Sequence, residues 1–302
     1  MKRSIVFVGE AMLEERVNAD GKVLRHYGGD TLNSAIHMVR LGSKVAFASA
    51  LGADSESAML RRRWASEGMD SSLLLDHPHR KVGRYAIALD QAGERTFSYD
   101  RAESAARALF EYADDGWKEA VGQADLLAFS LISLAVLPEG DRGKLLDLAR
   151  RVRANGGRVA FDGNYRPPLW EDADHARRWG DAAIAEADFG LPTLDDEIAL
   201  GGVANARDVA SHWKALGCRE VVVKQGEAGC LLPGGERVAP AEVLRPVDTS
   251  GAGDAFNAGY LAARLDGSDC ATSAALGHRV AGWTIMRHGA IPPRDADYPI
   301  IG

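Results

Sequence analysis

The sequence predicts an α/β protein: three layers, a mostly parallel sheet with helices on both faces, and a small additional β-sheet. Three observations predict it. Short apolar runs alternate with helical patterns along most of the chain, as strands buried on both faces require. Residues 14–27 and 81–101 break that rule and alternate apolar with polar residues, the pattern of strands with one wet face. Near the end, the run Asp248-Thr249-Ser250-Gly251-Ala252-Gly253-Asp254-Ala255-Phe256 carries small residues from a loop into an apolar, Ala-rich helix.

Taken in order, residues 5–8 read as a first buried strand, and 14–27 as the first alternating segment. Gly28-Gly29-Asp30 then opens a helix over 31–41, with Asp30 placed as its cap. Residues 45–49 read as a strand and 55–67 as a helix whose Arg61-Arg62-Arg63 forms a solvated face. In the second alternating segment, Asp90-Gln91-Ala92-Gly93 reads as a hairpin turn between two strands. Strands follow at 126–130, 158–162, 188–191 and 220–224, separated by helices at 138–155, 174–187 and 205–216. Helices at 255–265 and 270–287 close the chain. No low-complexity linker or internal repeat interrupts this order, so a single domain over 1–302 is expected, with small-sheet strands from 14–27 and 81–101.

A chain of 302 residues with a net charge of −7 and no dense Lys/Arg run is not expected to bind nucleic acid. The three cysteines, Cys218, Cys230 and Cys270, have neither metal-type spacing nor an even count, which fits a reducing, cytoplasmic setting. The N-terminus runs straight into a short strand, too short for a signal peptide, and no apolar run approaches a membrane span.

The loop-to-helix run carries the chemistry. Gly251 and Gly253 let backbone N–H groups approach a ligand, and the helix start adds unpaired donors and partial positive charge. Such a site suits a transferring phosphoryl group, with the Gly251, Ala252 and Gly253 amides as its anion hole. Asp254 is placed to take a proton from an attacking hydroxyl. The same residues would also serve as a plain Gly-rich helix cap. Gly29 permits close backbone approach at the other helix start, where Asp30 and Asn33 lie one turn apart on one face. Lys224, Gly226 and Gly229 follow the strand at 220–224, where ligands of open α/β sheets collect; a tight hairpin would need the same glycines. Arg101 and Arg166 on loops are either surface charges or a fork for a carboxylate.

Residues 248–256 match every fixed position of a signature, Asp-Thr-x-Gly-Ala-Gly-Asp-x-Phe, and Gly28-Gly29-Asp30-Thr31-Leu32-Asn33 matches a second one more than two hundred residues earlier. On these motifs the chain resembles the PfkB (ribokinase-like) carbohydrate kinases, from about residue 5 to 293. The stretches Gly93-Glu94-Arg95-Thr96-Phe97-Ser98-Tyr99, Asn164-Tyr165-Arg166-Pro167, Thr193-Leu194-Asp195-Asp196-Glu197 and Val221-Val222-Val223-Lys224 resemble those members that phosphorylate keto sugar acids. The resemblance implies ATP and Mg²⁺ as cofactors, a sugar acid as substrate, and a small sheet that covers the substrate as a lid and joins two subunits into a homodimer. It implies substrate contacts for Gly29, Asp30, Asn33, Tyr85, Tyr99, Arg101 and Arg166. It implies nucleotide contacts for Asn164, Lys224, Gly226, Gly229, Thr249, Gly251, Gly253 and His278. Where many members carry Asn-x-x-Glu, this chain has Thr193-Leu194-Asp195-Asp196, so Asp196 is the acidic residue expected near the metal, through water. The same acids would suit a plain helix start. A kinase for a neutral sugar or nucleoside, and a sugar-binding regulator without catalysis, are the rival expectations.

Overall fold

The computed structural model describes residues 3–17, 23–89 and 95–301, with the side chains of 16–17, 23–25, 86–89 and 95–99 left aside. The expected hairpin turn at Asp90–Gly93 lies outside the described residues, as does the side chain of Tyr99.

The chain opens with β1 (Ser4–Val8), β2 (Met12–Val17), β3 (Val23–Gly28) and α1 (Asp30–Arg40). Next come β4 (Lys44–Gly52), α2 (Ser55–Glu67), β5 (Leu74–His77), β6 (Gly83–Leu89) and β7 (Arg95–Asp100). The middle holds α3 (Leu109–Tyr112), α4 (Asp115–Gly122), β8 (Leu126–Ser130), α5 (Leu131–Val136), α6 (Glu139–Ala154), β9 (Arg158–Asp162) and α7 (Ala173–Ile184). Then follow β10 (Phe189–Gly190), α8 (Leu194–Leu200), α9 (Ala206–Ala215), β11 (Glu220–Val221), β12 (Val223–Lys224), β13 (Cys230–Leu231) and β14 (Arg237–Val238). Helices α10 (Ala252–Asp266) and α11 (Cys270–Ile285) end it.

Seven strands form one sheet in the order β11-β10-β9-β8-β1-β4-β5, and every pairing in it is parallel. Alternation within each strand sorts side chains between two faces. Val6, Val8, Leu127 and Phe129 enter one core with Trp117, Leu145 and Trp213 from α4, α6 and α9. Ile5, Phe7, Leu126 and Ala128 enter the other, with Leu32, Trp64, Phe256 and Val280 from α1, α2, α10 and α11. This is the three-layer arrangement that the alternating pattern predicts.

The two alternating segments form a separate four-stranded sheet, β3-β2-β6-β7. It is mixed: β2 pairs antiparallel with β3 and parallel with β6, and β6 pairs antiparallel with β7. The expected strand at 220–224 does two jobs. Val222 and Lys224 donate their N–H to Gly190 and Pro192 carbonyls, both at 2.8–2.9 Å, extending the parallel pairing. Val223 and Lys224 also pair antiparallel with β13, giving a third sheet, β12-β13-β14.

Several short elements are absent from the sequence reading. The clearest is α5, because Leu126 to Val136 is almost unbroken apolar chain. Ser130 ends the strand there: its hydroxyl accepts from Ser133 N–H, and Ser133 returns the bond to Ser130 N–H, each at 3.1 Å. Helix α10 starts at Ala252, three residues before the expected boundary, and α11 stops at Ile285, two residues before it.

Candidate active site

Gly251 sets the geometry at the head of α10. Its φ of 72° is left-handed, and an added Cβ would stand 2.5 Å from Ala290 Cβ, so only glycine fits. Asp248 braces this loop: it accepts from Ser250 N–H and from Gly289 N–H, at 3.0 and 3.1 Å. The first-turn amides of a helix have no acceptor four residues back. The Ala252 N–H is turned back onto Thr249 O at 3.3 Å, while Gly253 faces open space bounded by Lys224 Nζ.

Asp254 lies in this first turn, buried, where α1 meets α10. Asn33 Nδ2 donates to its Oδ2 at 2.8 Å, and Ser34 Oγ donates to its carbonyl at 3.0 Å. The amide oxygen of Asn33, Oδ1, is buried with no partner and faces Gly28, as a group awaiting a hydroxyl would. Burial pushes the Asp254 carboxyl well above the ordinary carboxylate range, Asp30 and Asp162 add to the rise, and Asn33 and Lys224 oppose it. Asp30 is likewise raised, by burial first, while Ser130 and the Thr31 amide pull it down. A carboxyl tuned upward in a cleft is the usual dress of a general base.

Beside Asp254 sits a closed polar ring. Lys224 Nζ donates to Asp162 Oδ2 and to Asn257 Oδ1, both at 3.0 Å, and Asn257 Nδ2 donates to Asp162 Oδ2 at 2.6 Å. The ring is buried, so the ammonium is held in place beside the head of α10. Asn164 Nδ2 donates to Asp30 Oδ2 at 3.2 Å, tying the loop after β9 to α1. Arg166 Nη1 donates to Asp196 Oδ1 at 2.9 Å and remains half exposed. Burial raises the Asp196 carboxyl and Arg166 lowers it.

The opposite wall belongs to the small sheet. Tyr85 OH donates to Glu14, which it faces across the β2–β6 pairing. Tyr99 lies opposite Tyr85 on β7 in backbone register. Arg101, just past β7, is ion-paired with the buried Glu10. Gly29 has a role nearer home than ligand approach: a Cβ there would stand 2.1 Å from Glu10 O. Gly229 is similar, its Cβ position lying 2.1 Å from Val238 O inside the third sheet, whereas Gly226 has open space. His278 Nε2 lies 3.0 Å from Val238 O and 3.7 Å from Cys230 Sγ, pinning that sheet to α11.

One continuous cleft brings these groups together. It is lined by Gly29, Asp30, Asn33, Tyr85, Arg101 and Asp254 at one end. Asn164, Arg166, Asp196, Lys224, Gly226, Gly229, Thr249 and His278 line the rest. Four further residues of the site escaped the sequence reading: Glu10, Glu14, Asp162 and Asn257. Position would have found three of them. Glu10 and Asp162 stand at the carboxyl ends of β1 and β9, and Asn257 shares a helix face with Asp254 at i, i+3.

The chain belongs to the pfkB family of carbohydrate kinases, whose family model matches residues 2–297. A 2-dehydro-3-deoxygluconokinase of Escherichia coli (strain K12) is 40% identical over 308 residues, covering 98% of this chain and 99% of its own. The protein of that name from Haemophilus influenzae is 36% identical, covering 96% and 95%. A fructokinase of Klebsiella pneumoniae is 31% identical over 87% and 84%. Among solved structures, a fructokinase with bound ATP from Xylella fastidiosa superposes with a TM-score of 0.84 at 23% identity, covering 99% of this chain and 96% of its own. A PfkB protein from Polaromonas sp. JS666 gives 0.79 at 28% identity, covering 93% and 94%.

Proposed function

We propose that the protein transfers the γ-phosphoryl of ATP to the terminal hydroxyl of 2-keto-3-deoxy-D-gluconate, giving the 6-phosphate and ADP. The observation that carries this reading is the convergence, in one cleft, of Asp254 at a helix N-terminus with Arg101 on the facing wall. One end supplies a base and an anion-holding helix start; the other supplies a cation for a carboxylate. Full-length relatives at 36–40% identity bear the name of that activity, while the fructokinase matches are less similar.

In this reading, Asp254 takes the proton of the terminal hydroxyl as its oxygen bonds to the γ-phosphorus. The bond from that phosphorus to the bridging oxygen breaks, and ADP leaves with the electron pair. The head of α10 holds the charge that builds on the equatorial oxygens, without moving to do so. Lys224, fixed by Asp162 and Asn257, adds a positive charge on the nucleotide side. Asn33 does two things: it orients Asp254 through Nδ2 and offers Oδ1 to the substrate hydroxyl.

Magnesium fits the donor set. Among the described residues no three His, Cys, Asp or Glu side chains form a cage. Mg²⁺ on nucleotide phosphates keeps several waters and takes one or two carboxylates, and Asp196 is a carboxylate that lines that side of the cleft. The ion would neutralise phosphate charge.

A coupled ADP-release assay across 2-keto-3-deoxygluconate, its galactonate epimer, fructose, ribose and a nucleoside tests the reading. The keto acid should give the highest kcat/KM. Equal use of fructose or ribose would replace the sugar-acid reading with the neutral-sugar one, and no turnover with any of them would leave a non-catalytic binding protein.

A further inference from the structure

Glu10 is a buried carboxylate that no step above uses. It follows β1 by two residues, at the carboxyl end of a central strand, with a side chain only 2% exposed. Two donors hold it: Arg101 through Nη2 to Oε2, and Ser104 through Oγ to Oε1 at 2.5 Å. Both donors come from the chain just beyond β7, the last strand of the small sheet. The start of β6 presses on the same group, since a Cβ on Gly83 would stand 2.8 Å from Glu10 Oε1. Glu10 is therefore the joint at which the seven-stranded sheet grips the base of the four-stranded one. The arginine it grips is 14% exposed and lines the cleft.

We propose that Glu10 is the positioning residue for acid recognition: with Ser104 it fixes Arg101, so that the guanidinium already points at the substrate's carboxylate before the substrate arrives. The inference rests on the sugar-acid reading given above. Its physical basis is preorganisation. An unrestrained arginine loses rotamer freedom when it binds, whereas one already clamped loses little. A short misplacement of such a group is costly to turnover. A second effect of Glu10 has the opposite sign: its negative charge repels an incoming carboxylate. The two effects can be told apart, because removing the charge raises KM if placement dominates and lowers it if repulsion dominates.

The test uses the full-length enzyme and Glu10→Gln, which keeps the shape and removes the charge. KM for 2-keto-3-deoxygluconate, KM for ATP, kcat and Tm are measured for this variant, for Arg101→Ala and for the double variant. The expected result is a KM for the acid raised up to roughly 100-fold, an unchanged KM for ATP, and a double variant no worse than Arg101→Ala alone, since the two residues act as one unit. A lowered KM for the acid would overturn the proposal, and so would additive penalties or an equal rise in both KM values. If Glu10→Gln does not fold, Ser104→Ala decides, because it loosens the same carboxylate more gently. A smaller rise in the acid KM supports the proposal and an unchanged one sinks it. Failure of the sugar-acid reading shows separately, in the parent enzyme, as a kcat/KM for fructose equal to that for the acid.

Discussion

In the proposed mechanism Asp254 is the base, and its burial has two consequences that can be measured. Asp254→Asn should keep the fold and ATP binding and lose roughly 10²–10⁴-fold in kcat; a variant with near-parent kcat would remove Asp254 from the mechanism. The pH profile follows from the raised pKa. The base must be ionised, so kcat/KM should rise with pH through a limb lying above the ordinary aspartate range, and the limb should vanish in the Asn variant. Stability carries the opposite sign. A carboxyl whose folded pKa is raised contributes stability that is full below the unfolded pKa, near 3.9, and is lost as pH rises through the folded pKa. Thermal melts should therefore show Asp254→Asn gaining on the parent as pH goes from about 5 to 9. The arginines separate in the same way. Arg101→Ala removes a charge-assisted contact of about 1.5–3 kcal/mol, so kcat/KM for the acid should fall roughly 10- to 150-fold with KM for ATP unchanged. Arg166 already shares Asp196 on the nucleotide side, so Arg166→Ala should raise KM for ATP as well. An acid-only effect of Arg166→Ala would return it to the carboxylate end. Asp254, Asn33 and Lys224 were legible from motif and strand position. Glu10, Asp162 and Asn257 had only position to mark them, a strand end or a helix face, because the partner that gives each its role lies from 33 to 95 residues away.

At the scale of elements, the site depends on how closely α10 lies on α11. Gly259 and Gly277 face each other, and a Cβ on Gly259 would stand 2.8 Å from both Gly277 Cα and Leu276 O. Gly259→Ala gains about 1 kcal/mol of helix propensity. It also pushes backbone against backbone, and overpacking of this kind costs about 1–3 kcal/mol. The clash should win, because neither contact is with a side chain that can swing away, and the melting temperature should drop. Gly143→Ala in α6 is the matched control: its Cβ position has nothing within 4 Å, so the melting temperature should hold or rise. If both variants melt alike, close packing of α10 on α11 is not what the glycine serves. Most elements could be read from their pattern, since long periodic helices and buried strands announce themselves. The short ones could not. Strand β10 has two residues and α5 has six, too few to show a period, and a serine hydrogen bond rather than composition separates β8 from α5.

At the scale of the molecule, the cleft lies where the strand order reverses. The chain runs outward from β1 to β4 and β5, then returns to place β8 on the other side of β1 and continues to β9, β10 and β11. Ligands of open α/β sheets collect at such a switch point, beyond the carboxyl ends of the strands, and Glu10, Ser130 and Asp162 stand at three of those ends. The small sheet leaves β3 and β7 as its edges, and edge strands invite pairing with another chain. A dimer joined through these sheets is expected, and light scattering at micromolar concentration should give twice the chain mass; a monomer there would count against it. The sequence by itself determined the layered α/β class, the two alternating segments, and the glycine-rich loop that leads into α10, because periodicity and glycine placement are local properties. Only the tertiary structure decided which charges meet. Local pattern places Arg101 and Arg166 as two open cations, whereas the folded chain gives one to Glu10 and the other to Asp196. Arg166 and Asp196 lie beyond the ends of β9 and β10, parallel neighbours that are distant in sequence, while the Arg101–Glu10 pair joins the end of β7 in the small sheet to the end of β1 in the large one.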